Sequence, residues 1–75
     1  MNPIDIEILQ ALREELGRDV SMTDSLGSLG VDSLRMAQFA TELERRFGFR
    51  VDEELLDVGT VGELSEYVRA KKVGS

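Results

Sequence analysis

Residues 29–49 read LGVDSLRMAQFATELERRFGF, from Leu29 to Phe49. From Ser33 to Phe47 the pattern is an amphipathic helix. Met36, Phe39, Ala40, Leu43 and Phe47 recur at i, i+3, i+4, i+7 and i+11, and so share one face. Asp32 stands where a helix cap is wanted, and Gly48 is a suitable residue just past the end, with Phe49 able to fold back on the last turn. Leu34 falls on the opposite, polar face with Gln38, Thr41 and Arg45, and Ala37 lies at that face's edge. A large apolar side chain there has no evident folding role. Beside a serine at a helix start it makes a small docking spot.

Working outward, Asn2 and Pro3 are a side-chain cap and a first-turn proline, which open a helix over 3–16. Ile4, Ile8, Leu9, Leu12 and Leu16 mark its inner stripe, Ile6 falls to the flank, and Gly17 stops it. Asp5 and Glu7 occupy the first turn, where the helix dipole favours acids. On the other side, Asp52 caps a short helix over 53–57. Thr60 and Glu63 have capping-box spacing ahead of a last helix over 61–71, with Val61, Leu64 and Val68 on its buried face. Arg69, Lys71 and Lys72 suit that helix's C-terminal end. The loop over 17–32 is rich in Ser, Thr, Asp and Gly, but Val20, Met22, Leu26, Leu29 and Val31 punctuate it. Loops this long are usually functional or disordered, and the apolar punctuation expects this one to be pinned to the core. Nothing reads as a strand pair. The expected fold is all-α, a four-helix bundle of three main helices plus a short third one, forming a single domain over residues 1–75.

Composition narrows the function. The chain has no cysteine and no histidine, which removes disulfides, thiolate metal sites, the commonest metal ligand and the commonest general base. Catalysis is a poor fit, and no catalytic or metal-ligating residue is assigned. Fifteen acids against nine bases leave a net charge of -6, which disfavours nucleic acid and anionic membranes and favours protein partners with basic surfaces. No apolar run reaches transmembrane length, and the N-terminal Met1–Glu7 carries acids where a targeting peptide carries bases. The expected location is the cytoplasm, and the expected state a monomer.

The tripeptide Asp-Ser-Leu occurs twice, at 24–26 and 32–34. After Ser25 come Gly27, Ser28 and Gly30, which propagate no helix, so Ser25 reads as a loop serine with Leu26 as an anchor. Ser33 opens a helix, where free backbone N–H groups and the positive dipole end converge and would stabilise a phosphate ester. On the residues alone, Asp32 and Ser33 read equally well as a helix cap and as an anchoring site.

Leu29-Gly30-Val31-Asp32-Ser33-Leu34 resembles the L-G-x-D-S-L signature of acyl and peptidyl carrier proteins. Leu16-Gly17, Phe47-Gly48-Phe49, Thr60-Val61, Leu64 and Tyr67-Val68 keep the same family's order over nearly the whole chain. The resemblance implies 4′-phosphopantetheine, taken from coenzyme A and attached to Ser33, with Asp32 as the flanking cap. It also implies a role for Leu34 in partner contact, and by extension for Arg35, Ala37, Gln38, Thr41 and Arg45 on the same stretch. The implied partners are a phosphopantetheinyl transferase, an acyl- or aminoacyl-loading enzyme, and ketosynthase, condensation-type and tailoring enzymes. One departure stands out: over 32–47, Asp32, Glu42 and Glu44 balance Arg35, Arg45 and Arg46, so this helix is formally neutral where fatty-acid carriers of the family are acidic. That points the expectation toward a discrete carrier of polyketide or nonribosomal peptide pathways. A housekeeping fatty-acid carrier is the near alternative, and a small helical interaction domain without a prosthetic group is the distant one.

Overall fold

The computed structural model describes residues 2–74, and side chains over 2–72. Three α-helices, α1 (Pro3–Leu16), α2 (Ser33–Phe47) and α3 (Val61–Gly74), are joined by the long loop 17–32 and by a one-turn 3-10 segment, Glu53–Asp57. The fold is all-α, with the short third helix wound as 3-10. The last helix runs three residues beyond the expected Lys71, because its sequence holds no proline, and no glycine between Gly62 in its first turn and Gly74.

Each helix starts where its local chemistry says it should. Asn2 Oδ1 accepts from the Ile4 N–H at 2.8 Å, and Asp32 Oδ1 from the Arg35 N–H at 2.9 Å. Asp52 Oδ1 accepts from the Glu54 N–H at 3.1 Å. The capping box of α3 is complete: Thr60 Oγ1 accepts from the Glu63 N–H at 3.1 Å, while Glu63 Oε1 accepts from the N–H groups of Thr60 at 3.1 Å and Gly59 at 2.8 Å. Gly17 and Gly48 close α1 and α2 in left-handed conformations.

The core draws on every element. Ile8, Leu9, Ala11 and Leu12 come from α1, Met36, Phe39, Leu43 and Phe47 from α2, and Val61, Leu64, Tyr67 and Val68 from α3. Val20, Leu26 and Leu29 are buried from the loop, and Leu55 from the 3-10 segment. Ile6 lies outside this cluster, 44% exposed. The loop is ordered by more than its apolar anchors. Leu26 N–H donates to the Gly59 carbonyl at 2.9 Å, Val61 N–H to the Asp24 carbonyl at 3.0 Å, and Gly62 N–H to the Met22 carbonyl at 2.9 Å. Ser25 and Thr60 thereby form an isolated antiparallel bridge. A Cβ on Gly62 would stand 3.3 Å from the Met22 carbonyl oxygen, so the close approach of loop and helix depends on glycine there.

Two polar clusters carry no signal in the sequence. Asp5 is buried rather than merely placed at a helix start: it accepts from the Ser65 hydroxyl, itself fully buried, and its carboxylate lies 3.8 Å from Arg69 Nε. This fixes the register of α1 against α3. At the other end, Tyr67 Oη donates to Asp52 Oδ1 at 2.9 Å and accepts from the Asp52 N–H at 2.9 Å, while Lys71 Nζ bonds Asp52 Oδ2. The Phe49 ring meets Tyr67 edge-on at 6.2 Å.

The hydrogen bonds from Lys71 and then Tyr67 hold the Asp52 carboxyl below the usual carboxylate range. A carboxyl whose pKa is lowered on folding adds stability that is present above its unfolded value, about 3.9, and lost as pH falls through the lower folded value. Asp52→Asn is therefore expected to lower Tm at neutral pH, with the gap to the parent closing below about pH 4. Thermal unfolding followed by circular dichroism across that range measures it; a gap that stays constant with pH would refute the linkage.

Candidate functional site

The chain reaches Ser33 through a turn that only glycine adopts easily. Gly30 has φ 82°, in the left-handed region, and the turn is tied by Val31 N–H to the Leu26 carbonyl at 3.0 Å and Gly30 N–H to the Gly27 carbonyl at 3.1 Å. Asp32 comes next in an extended conformation and caps α2, which sets Ser33 as the first helical residue. The Asp32 side chain takes the Arg35 N–H and its carbonyl the Met36 N–H at 2.9 Å. The N–H groups of Ser33 and Leu34 have no intrahelical acceptor, as at every helix start. Ser33 is exposed, and its hydroxyl has no hydrogen-bond partner among the described residues. Asp32, and not Ser33, does the capping.

Ser33 lies on the wall of a groove of about 320 Å³. Leu26, Val31, Met36, Leu56 and Val58 supply its apolar surface, and Gly27, Asp32 and Gly59 the remainder. The loop, the start of α2 and the segment after the 3-10 turn all contribute, so the groove exists only because the 24–26 stretch is stitched to 59–61. Ser25 itself is spent locally, its Oγ accepting from the Ser28 N–H at 3.4 Å.

Among the residues expected on the partner face, Leu34 is 67% exposed, and Ala37, Gln38, Thr41 and Arg45 are also exposed. Arg35 departs from them: its guanidinium Nη1 donates to the Glu15 carbonyl at 3.4 Å, at the C-terminal end of α1. Position 35 is one residue round the helix from 34, on the edge that faces α1 along with Arg46, which pairs with Glu14 at 3.0 Å and Glu42 at 3.0 Å. Arg45 also bonds Glu42. The hydrogen bond from Arg46 and the charge of Arg45 pull the Glu42 carboxyl below its ordinary range against its desolvation. Leu56, 69% exposed at the groove, is absent from the residues expected at the site, since two adjacent leucines in a five-residue helix carry no periodic signal to tell the buried Leu55 from the exposed Leu56.

Residues 6–68 match the family model for a phosphopantetheine attachment site. The chain belongs to the phosphopantetheine-attachment family of carrier proteins. Among relatives of this family member, an acyl carrier protein of Exiguobacterium is 32% identical over 71 residues, spanning 88% of this chain and 90% of that protein. An acyl carrier protein of Thermotoga maritima is 32% identical over 73 residues, spanning 91% and 89%. A crystal structure of an acyl carrier protein from Thermotoga maritima superposes with a TM-score of 0.77 at 22% identity, covering 92% of this chain and 86% of that one, a likeness of fold.

The family's group is covalently attached 4′-phosphopantetheine. The structure fits it. An unpartnered, exposed hydroxyl stands at a helix start where a phosphate ester is favoured, beside an apolar groove able to lie along an aliphatic chain. Among the described residues there is no group of three or more carboxylates able to hold a metal ion, and no helix is long and apolar enough to cross a membrane.

Proposed function

We propose that Ser33 bears the arm and that the chain is a non-catalytic carrier of acyl groups, working with enzymes of the fatty-acid-synthesis type. The observation that carries the attachment site is the exposed Ser33 hydroxyl, free of partners, at the groove. When attached, the arm supplies the thiol that this cysteine-free chain lacks and holds cargo as a thioester. The residues do the rest. Ser33 offers the oxygen for the phosphodiester, the free N–H groups of α2's first turn and its dipole favour the added negative charge, and Asp32 holds that turn in place. Leu34, Ala37, Gln38, Thr41 and Arg45 form the exposed face next to the arm, where the transferase and the loading and condensing enzymes would dock. Arg35, bonded to the end of α1, contributes less to it.

Acyl cargo is preferred over aminoacyl or peptidyl cargo because both relatives carry the name acyl carrier protein. The formally neutral α2 favours a second reading, a carrier for polyketide-type synthesis. Offered malonyl-coenzyme A with a malonyl transferase and the components of fatty-acid synthesis, the arm-bearing chain is expected to be loaded and its cargo extended through successive rounds. Loading without extension would select the polyketide reading. Selective loading by an amino-acid-adenylating enzyme would overturn acyl cargo altogether.

A further inference from the structure

A cation in the first turn of a helix works against that helix's own dipole. Arg35 is such a cation, in the first turn of α2, which holds no acid after the Asp32 cap. Nor is it placed as a counterion for a group on Ser33, since residues two apart in a helix do not face each other. Its guanidinium is directed elsewhere, to the Glu15 carbonyl in the last turn of α1. There the carbonyls lack intrahelical donors and the dipole ends negative, which suits a cation. Arg46 reaches the neighbouring residue, its Nη2 lying 3.0 Å from Glu14 Oε1. Glu42, one turn before Arg46, accepts from its Nε at 3.0 Å and steadies it. Positions 35 and 46 are three turns apart, roughly 16 Å along the axis, and fall on one face of α2. From that face two arginines converge on consecutive residues at the end of α1.

We propose that Arg35 and Arg46 are positioning residues for arm transfer: by gripping α1 at two points they fix the slide and rotation of α2, and so the direction in which Ser33 presents its hydroxyl. This inference rests on Ser33 bearing the arm. One contact leaves a helix free to pivot about it, whereas two contacts three turns apart on one face do not. Bridges of this length are needed because the backbones of α1 and α3 lie close together, while α2 stands farther from α1. Exposed ion pairs contribute little to stability, since water and salt screen them, so the grip acts on orientation more than on Tm. A displacement on the order of 1 Å at the reacting oxygen lowers the productive fraction of enzyme complexes. It does so without weakening the docking assigned to the Leu34 face.

Arm transfer from coenzyme A by a broad-specificity phosphopantetheinyl transferase, with intact mass as the readout, provides the test. The double variant R35A/R46A is expected to lose about fivefold in kcat, with KM within about twofold of the parent. R35K/R46K keeps a donor at both positions and is expected to recover most of that loss. E14A frees Arg46 from α1 without touching α2, and is expected to lose about twofold in kcat. It also keeps the proposal falsifiable should the double variant fail to fold. E7A makes the same change of charge elsewhere on α1 and is expected to match the parent. Amide hydrogen exchange at Arg35 and Met36, whose N–H groups are bonded to Asp32, is expected to quicken in R35A/R46A and E14A. A rise in KM with kcat unchanged in R35A/R46A would make the arginines contacts of the enzyme and overturn the proposal. So would an E14A variant indistinguishable from E7A. A parent modified at Ser33 beside an unimpaired R35A/R46A would sink the positioning role alone. A parent chain that takes up no arm would strike at Ser33 itself, and the positioning role would fall with it.

Discussion

Incubated with coenzyme A and a broad-specificity phosphopantetheinyl transferase, the chain is expected to gain one phosphopantetheine, and Ser33→Ala to abolish the gain completely. Ser25→Ala is expected to be modified like the parent. The two serines share the tripeptide Asp-Ser-Leu, so the pair isolates context from composition. Ser33 has an unengaged hydroxyl at the start of a fifteen-residue helix, where the free N–H groups and dipole of a helix N-terminus favour an added phosphate. The Ser25 hydroxyl accepts from the Ser28 N–H within a turn, and its backbone is bridged to Thr60. Intact mass reads both outcomes directly. Retention of the adduct in Ser33→Ala, or its loss in Ser25→Ala with the fold intact, would overturn the assignment. Ser33→Ala is expected to fold like the parent, because the cap of α2 is Asp32 and not the serine.

Leu64→Ala is expected to be the most damaging single truncation in the core, costing about 3 kcal/mol. Leu64 is fully buried one turn into α3, in the cluster that joins Ile8 and Leu12 of α1 to Phe39 and Leu43 of α2. A domain of this length has roughly 4–11 kcal/mol of stability in all. A loss of that size lowers Tm by roughly 15 °C. Leu34→Ala removes the same side chain from a position 67% exposed, and its effect is expected to stay within about 0.5 kcal/mol. Denaturant unfolding of the two variants under one set of conditions checks the contrast. Similar losses for both would mean that Leu34 packs against something in the folded chain and is no part of a docking face.

Most of the helical frame is legible in the sequence because its signals are local. Asn2, Asp32, Asp52 and the Thr60–Glu63 pair cap the helices they are expected to cap, since a cap involves residues two or three apart. The spacing of Met36, Phe39, Leu43 and Phe47 marks a buried face whatever it packs against. Ser33 is singled out from Ser25 on the same grounds, by the residues immediately downstream: a capped amphipathic helix after one, glycines after the other. The exposure of Leu34 likewise needs only a helical wheel.

The features that tertiary structure alone decides depend on residues far apart in the chain. Asp5 reads in sequence as a dipole-compensating acid, and only the fold brings Ser65, sixty positions on, to be its buried partner. Arg35 reads as a member of the docking face, and only the packing of α1 places the Glu15 carbonyl within its reach. The groove beside Ser33 combines Leu26, Met36, Leu56 and Val58, and no local pattern links these four. It forms because the first Asp-Ser-Leu copy is stitched to the start of α3, so the copy to which we assign no arm shapes the surface beside the one to which we assign it. Capping and periodicity are set by neighbours within a turn or two, and the sequence determined them by itself. Which charges are spent within the fold and which are left for a partner depends on what packing brings together, and only the folded chain decides that.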